Sequence, residues 1–362
     1  MMRLMSLIFA SCTMGMSGQD GSAFKITKTE KALPLAGESF RLDGNQAFVI
    51  VPPDVSEDIP WVWYAPTLKG LPSTEERWMF KKFLAAGIAI AGIDVGESYG
   101  SPDGRGIYSK FYAYLREARG FRAKPCLFAR SRGGLMHYNW AAEYPGSVGG
   151  IAGIYPVCNL ASYPGTAKAA PGYGMSANEL KAELPAHNPI DLLEAIAGAG
   201  VPVLHIHGDR DAIVPLEENS AKLITRYLDF GGPGKLVLIE GRGHDMWKGW
   251  FQSDALTDFA MACALGEKVE FEDEAADDDG KVVYQGKLRG GIMAIGGETT
   301  GWLLNYEKEG KKKTIEVEMK GIDRTGQFDG KVVKISGNVV TKKYMERGPV
   351  SILQASDVSV VE

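Results

Sequence analysis

Between about residue 35 and residue 265 the chain alternates short apolar runs with amphipathic stretches. Ala47-Phe48-Val49-Ile50-Val51 and Trp61-Val62-Trp63-Tyr64 read as early strands. Residues 87–94 are almost unbroken in their apolar character, as a strand covered on both faces must be. Residues 125–129, 149–155, 201–207 and 235–239 repeat that pattern. Between the strands the period becomes helical: residues 74–86, with Thr74 as N-cap and acids in the first turn, then 108–119, 133–143, 217–230 and a last helix running to Cys263. This alternation predicts an α/β fold over residues 30–266, a mostly parallel sheet flanked by helices. Pro-Gly and Gly-rich segments interrupt residues 159–192, which read as a loop lidding a pocket.

Beyond residue 266 the pattern changes. Seven of the ten residues from Glu270 to Asp279 are acidic, a self-repelling run that reads as a linker over residues 267–280; it lacks the spacing and mid-loop glycine of an EF-hand. Short β-like runs follow at 282–284, 314–318, 331–335 and 358–361, punctuated by glycines, and predict a small β-barrel or sandwich over residues 281–362. The charge divides with the pattern. The chain as a whole carries −5, whereas residues 281–362 carry +4, leaving −9 for the rest. Overall acidity speaks against nucleic acid as a partner, and the run Lys311-Lys312-Lys313 reads as a solvated turn.

Residues 1–20 have the shape of a secretory signal peptide: a basic start at Arg3, a short apolar run from Leu4 to Ala10, then small and polar residues. The run is too short to span a bilayer, and no other run is long enough, so no transmembrane segment is expected. Export to the periplasm, cell envelope or medium follows from this reading. Phe9-Ala10-Ser11-Cys12 is also similar to a lipoprotein cleavage box, which makes Cys12 a candidate lipid anchor. Cys126, Cys158 and Cys263 remain, none in C-x-x-C spacing, so zinc and thioredoxin-type sites are not indicated. Cys126, inside an apolar run, reads as a small hydrophobe.

The candidate chemistry lies where strands end. Ala129-Arg130-Ser131-Arg132-Gly133-Gly134 joins a buried strand to a helix. A serine on such a sharp turn holds its hydroxyl clear of the sheet, and small residues two before and two after it let helix and strand approach. The first helical N–H groups have no partner in the helix, so the N–H of Arg132 faces an oxyanion position. A serine hydroxyl needs a base. Of the five histidines, His244 lies in Gly241-Arg242-Gly243-His244-Asp245, just after the last apolar strand of the α/β region. His137 is on the helix after Ser131, His187 precedes Pro189 in a loop, and His205 and His207 share one face of a strand as structural residues. The base needs an acid. His207-Gly208-Asp209-Arg210-Asp211 offers Asp211 for that role, and Asp209 for shaping the turn. The chain order is then Ser131, Asp211, His244.

These stretches carry a resemblance. Residues 45–265 look like the α/β-hydrolase superfamily, with HGDRDAIVP similar to its acid loop and GRGH to its histidine loop. PWVWYAP, IDVGESYGSP, RSRGGLMHYNWAAEYP, YPVCNLASYPG and HNPIDLL resemble a bacterial branch of esterases and prolyl-oligopeptidase-like proteins, many of which accompany polysaccharide-degrading systems. GKLRGGIMAIGGETTG resembles a β-rich appendage of planctomycete secreted proteins. The resemblance implies Ser131 as nucleophile, Asp211 as acid and His244 as base, with no metal and no cofactor. Two departures stand out. Ala129 replaces the usual glycine before the serine, and Trp63-Tyr64-Ala65-Pro66 stands where the superfamily has His-Gly. Pro66 has no N–H, so Tyr64 or Ala65 becomes the second oxyanion donor. Trp63, Tyr64, Tyr99, Tyr155 and Tyr163 read as aromatic platforms for sugar rings, and Arg130 and Arg132 as groups attracting an acidic substrate or pairing with acids. Together these readings predict an exported serine esterase acting on a small-molecule or glycan ester. A prolyl-oligopeptidase-like peptidase and an inactive glycan-binding protein on the same fold are the alternatives.

Overall fold

A computed structural model describes residues 24–53, 57–271, 282–292, 299–308, 311–319, 322, 326–344 and 348–361. The leader, Cys12 and most of the acidic run lie outside the described residues. The chain divides into two units, one ending at Glu270 and one beginning at Phe271.

The first unit is built on nine strands: β1 Ile26–Lys28, β2 Glu38–Leu42, β3 Asn45–Ile50, β4 Trp61–Tyr64, β5 Ala89–Ile93, β6 Cys126–Arg130, β7 Gly150–Ile154, β8 Val203–Gly208 and β9 Gly234–Ile239. Their order in the sheet is β1-β2-β3-β5-β4-β6-β7-β8-β9. The first three run antiparallel to their neighbours, and the pairings from β5 through β4 to β9 are parallel. β1 and β2 are too short and too polar to show in the hydrophobic pattern. The helices are α1 Arg77–Ala85, α2 Pro102–Arg119, α3 Gly133–Glu143, α4 Thr166–Tyr173, α5 Ala177–Ala182, α6 Leu184–His187, α7 Leu193–Gly198, α8 Ser220–Asp229, α9 Lys248–Phe251 and α10 Asp254–Leu265.

Three boundaries differ from the sequence reading for local reasons. The cap of the first helical segment is Ser73, one residue before Thr74, and it forms a reciprocal box with Glu76. α2 begins at Pro102 behind the Ser101 cap, because Pro at the first position and a serine before it outweigh the loop-like Gly104 and Gly106. The predicted helix over 217–230 is broken at Asn219, whose side chain accepts from the backbone N–H groups of Cys158 and Asn159. Residues 159–192 are correspondingly not a loop: α4, α5 and α6 occupy them, and Ala169, Ala170, Leu180 and Ile190 are buried in the main core.

β4 shows why the sheet holds. All four of its side chains are fully buried. Trp61 and Trp63 stack at 5.2 Å between ring centroids and face α2 and α3, with Tyr108, Phe111 and Trp140 within 6 Å of Trp63. On the other face, Tyr64 meets Phe80 of α1 and Phe128 of β6. Burying a phenylalanine of this kind contributes roughly 1.5–3 kcal/mol. Cys126, Cys158 and Cys263 are buried and unbridged.

In the second unit five strands close a barrel in the order β10-β11-β12-β14-β13: β10 Val282–Arg289, β11 Leu303–Lys308, β12 Lys311–Glu318, β13 Val332–Tyr344 and β14 Gly348–Val360. Leu288, Leu304, Val317, Val333, Ile335 and Leu353 fill it. Lys311-Lys312-Lys313 is not a turn but the start of β12, paired with β11. Among the described residues no helix is long and apolar enough to cross a membrane.

Candidate active site

Ser131 sits between β6 and α3 with φ +48°, a left-handed conformation that costs a non-glycine residue about 1–2 kcal/mol. Two hydrogen bonds hold it there: its N–H donates to the Ile154 carbonyl at 3.1 Å, and its own carbonyl accepts from Val157 N–H at 2.8 Å. The small residues around it are needed for contact. A Cβ on Gly134 would lie 2.3 Å from the Val157 carbonyl oxygen, and one on Gly133 would lie 3.0 Å from Ala65 Cβ. Ala129, inside β6, is fully buried, so a methyl is accommodated where the superfamily pattern has glycine.

The Ser131 hydroxyl lies 3.0 Å from His244 Nε2, and His244 Nδ1 lies 2.8 Å from Asp211 Oδ2. The structure thus brings together three residues from widely separated stretches in one hydrogen-bonded line. Asp211 has no exposed side-chain surface, and its second oxygen accepts from the N–H groups of Ile213 and Val214. Burial alone would raise its carboxyl, but hydrogen bonds from His207, His244 and Val214 outweigh that and hold it well below its usual range. Asp209 accepts from Gly241 N–H at 2.6 Å and so ties the acid loop to the histidine loop. Asp245 fixes the histidine loop from the other side, accepting from Trp250 Nε1 at 2.8 Å and Trp247 N–H at 3.1 Å, while its carbonyl accepts from the Tyr155 hydroxyl at 3.2 Å.

Several predicted substrate contacts are corrected. Trp63 lies in the core, because β4 has strands on both sides and helices over its face. Tyr99 is also buried, which pushes its hydroxyl up to about 12. Tyr155 is 1% exposed and packs its ring 4.2 Å from that of His244, so it buttresses the imidazole and offers no platform. Arg130 turns inward to the fully buried Glu76 at 2.8 Å and reaches Met246 Sδ at 2.8 Å. Arg132 pairs with Glu97 at 2.6 Å, so both arginines take the acid pairing that the sequence reading set beside substrate attraction. Of the oxyanion candidates, Arg132 caps α3 without a side-chain bond, leaving its N–H at the open helix start. Ala65 is excluded: its N–H donates to the Phe128 carbonyl at 3.3 Å, continuing the sheet ladder. Tyr64 lies inside β4, and its hydroxyl donates to Glu76 at 2.8 Å.

Sequence reasoning missed the exposed apolar residues of the two loops, Ile213 beside Asp211 and Met246 and Trp247 beside His244, with the Arg242 guanidinium 4.4 Å from the Trp247 ring. Their adjacency to the two site residues was the available signal. Among the described residues no cluster of His, Cys, Asp and Glu could hold a metal ion. A cavity of about 730 Å³ lined by Lys31, Phe40, Tyr114 and Arg119 includes none of the three site residues.

No protein-family model matches the chain, and no curated protein matches it in sequence. Solved structures do resemble it. Est1E from Butyrivibrio proteoclasticus superposes with a TM-score of 0.50 at 18% identity, over 63% of this chain and 99% of that one. An S-formylglutathione hydrolase from Agrobacterium tumefaciens gives 0.50 at 18%, over 67% and 99%. The fold is the α/β-hydrolase fold. Porphyromonas gingivalis dipeptidyl peptidase 4 shares it with a TM-score of 0.50 at 14% identity, over 66% of this chain, which spans only 35% of that peptidase. Within an α/β-hydrolase sheet the line Ser131–His244–Asp211 stands at the carboxyl ends of β6, β9 and β8, where ligands enter open sheets of this kind.

Proposed function

We propose that the protein is an exported serine hydrolase that cleaves carboxylic esters through an acyl-enzyme. The observation that carries the proposal is the 3.0 Å approach of the Ser131 hydroxyl to His244 Nε2, with Asp211 2.8 Å behind the imidazole. His244 Nε2 takes the Ser131 proton as Oγ attacks the ester carbonyl. The carbonyl π electrons move to oxygen, and the N–H of Arg132 meets the oxyanion. The tetrahedral adduct collapses, the C–O bond to the alcohol breaks, and His244 returns its proton to the leaving oxygen. Water then repeats the sequence on the acyl-serine and restores the enzyme. Asp211 holds the imidazole in the required tautomer and stabilises its charged form.

The second oxyanion donor in this reading is the N–H of Thr67, the first after Pro66. Thr67 Cγ2 stands 3.8 Å from where a Gly133 Cβ would be, and the Thr67 carbonyl accepts from Arg132 Nη2 at 3.4 Å. Loss of one such donor costs roughly 10²–10³ in turnover. The carbohydrate part of the proposal rests on the resemblance of the sequence and on the exposed Trp247 ring, and export rests on the leader-like residues 1–20. Lipidation of Cys12 belongs to the same proposal.

A fluorophosphonate probe tests the chemistry: wild type is expected to label and Ser131→Ala is not. Loss of the serine should lower turnover by roughly 10⁶. A panel of acetylated, feruloylated and methylated glycans beside proline peptides tests the substrate. Turnover of peptides alone would replace the esterase reading by the peptidase one. Failure of the wild type to label would leave the inactive binding protein.

A further inference from the structure

Behind Asp211 the carboxylate is joined to a buried chain of side chains that the reaction described above does not use. His207 Nε2 lies 3.3 Å from Asp211 Oδ2 and 3.0 Å from the Val214 carbonyl oxygen. His207 Nδ1 is 2.8 Å from Ser220 Oγ, which in turn is 3.0 Å from His205 Nδ1. His205 Nε2 is 2.7 Å from the Tyr138 hydroxyl. All four residues are 0% exposed. Room for the His205 ring is made by the neighbouring strand: a Cβ on Gly153 would lie 2.6 Å from His205 Cδ2.

The protons of this chain can be assigned by elimination. A carbonyl oxygen and a carboxylate oxygen only accept, so His207 Nε2 carries hydrogen and donates. With His207 neutral, its Nδ1 accepts, and the single hydroxyl hydrogen of Ser220 must point at it. The Ser220 oxygen then accepts from His205 Nδ1–H. That leaves His205 Nε2 as an acceptor, and the Tyr138 hydroxyl donates to it. His205 is neutral in this arrangement, as its burial and the nearness of His207, which push it down to about 3, require. The reverse order needs a second proton on His207. It would place an imidazolium where no surface is exposed and leave the Tyr138 hydroxyl hydrogen without an acceptor among the described residues; both are costly in the interior.

We infer that Tyr138, His205, Ser220 and His207 form a directed hydrogen-bond relay whose last donor, His207 Nε2–H, is bonded to the Val214 carbonyl and lies 3.3 Å from Asp211 Oδ2, and that these are positioning residues fixing the carboxylate under His244, directly and through Val214, whose N–H donates to Asp211 Oδ1. No proton is transferred along it; its effect is to hold the Val214 segment and the His207 ring against the Asp211 oxygen that His244 shares. Low local dielectric makes such a chain reinforce itself, and cutting one link weakens the rest. The inference deepens the proposed hydrolase reading and rests on Asp211 being its acid.

The test reads tautomers first and activity second. In the full chain labelled with 15N-histidine, long-range proton–nitrogen spectra are expected to show His205 as the neutral Nδ1–H form and His207 as the neutral Nε2–H form. Ser220→Ala should shift the His244 Nδ1–H resonance, and Tyr138→Phe should shift it less, because that cut is two links further from Asp211. In ester hydrolysis Ser220→Ala should lower kcat about tenfold at unchanged KM, the size expected for weakening one hydrogen bond to a charged group. His207 found as imidazolium or as the Nδ1–H form would overturn the relay. So would an unmoved His244 resonance in both variants. These spectra report whether or not the wild type takes up a fluorophosphonate, so failure of the hydrolase reading would be seen separately.

Discussion

Glu76 and Arg130, the residue before Ser131, form a buried ion pair, and removing the charge of Glu76 should cost more than any surface substitution. Glu76 Oε1 accepts from Arg130 Nη1 and the Tyr64 hydroxyl, each at 2.8 Å, and Oε2 accepts from the N–H and hydroxyl of Ser73, each at 2.8 Å. The Glu76 side chain is 0% exposed and that of Arg130 is 13% exposed. Glu76→Gln leaves the guanidinium without its counter-charge and presents an amide N–H₂ to Ser73 donors. Breaking a buried pair from one side costs about 3–5 kcal/mol. For a unit of this size 1 kcal/mol moves Tm by about 2–4 °C, so a fall of roughly 6–20 °C is expected. All ten helices described above precede residue 266, so circular dichroism at 222 nm follows mainly the first unit. The decisive comparison is Glu76→Gln/Arg130→Met. Replacing both charges removes the orphaned cation, and the double variant should recover most of the lost stability. It should not recover activity, because Arg130 also reaches Met246, two residues after His244. A single variant within about 1 kcal/mol of wild type, or a double variant as unstable as the single, would refute this account of the pair.

Asp211→Asn should lower kcat by about 10⁴ with little change in KM, measured on whichever ester the panel identifies, because an amide cannot hold the required imidazole tautomer. The same residue sets a pH dependence of stability. Its folded carboxyl is held below the ordinary value of 3.8, so its contribution is fully present above that pH and is lost as pH falls further below it; the stability gap between wild type and Asp211→Asn, read by urea titration, should therefore shrink below about pH 4. Gly134→Ala should destabilise by about 1–3 kcal/mol, against the usual sign of such a change in a helix, since its Cβ meets a backbone carbonyl. Gly146→Ala, with nothing within 4 Å, is the control and should melt like wild type. A chain stopped at Glu270 should still take up a fluorophosphonate, since every strand and helix presenting Ser131, Asp211 and His244 ends before that residue; loss of labelling in a folded product would show that the barrel contributes.

The three residues that the structure lines up were legible in the sequence because each lies within five residues of the end of an apolar run, in the turn that follows a strand. The partners that fix them were not legible, since they are remote in sequence: Glu76 is 54 residues from Arg130, and Tyr138 is 67 from His205. Aromatic residues misled for a related reason. Trp63 and Tyr64 sit at the end of a short strand, with Pro66 just beyond Ala65, a position that reads as exposed. Whether such a ring meets solvent depends on which strands lie on either side, and β4 was placed between β5 and β6 by a crossover that periodicity does not encode. In the second unit β11 escaped notice because Leu303-Leu304-Asn305-Tyr306-Glu307-Lys308 has only a short apolar start, whereas its pairing with β10 and β12 is set by the closed barrel.

The sheet order explains how a chain can bring the site together with few special devices. β6, β7, β8 and β9 are neighbours in space in the same order as in sequence. Their carboxyl ends present Ser131, Tyr155, Asp211 and His244 in turn. Each crossover therefore has only to return to the next position, which is the connection that right-handed strand–helix–strand units make most readily. The departures from that simple rule all fix loops rather than strands: positive φ at Ser131 and Tyr155, the Asp209–Gly241 bond, and Asp245 held by Trp250. Backbone strain appears at Ser131 and Tyr155, and both are pinned by hydrogen bonds to neighbouring strands or loops. Tyr155 N–H donates to the Ile206 carbonyl at 2.8 Å, as Ser131 N–H does to Ile154 one strand earlier. The regular sheet thus supplies the positions, and the strained turns aim one hydroxyl and one supporting ring at the same imidazole.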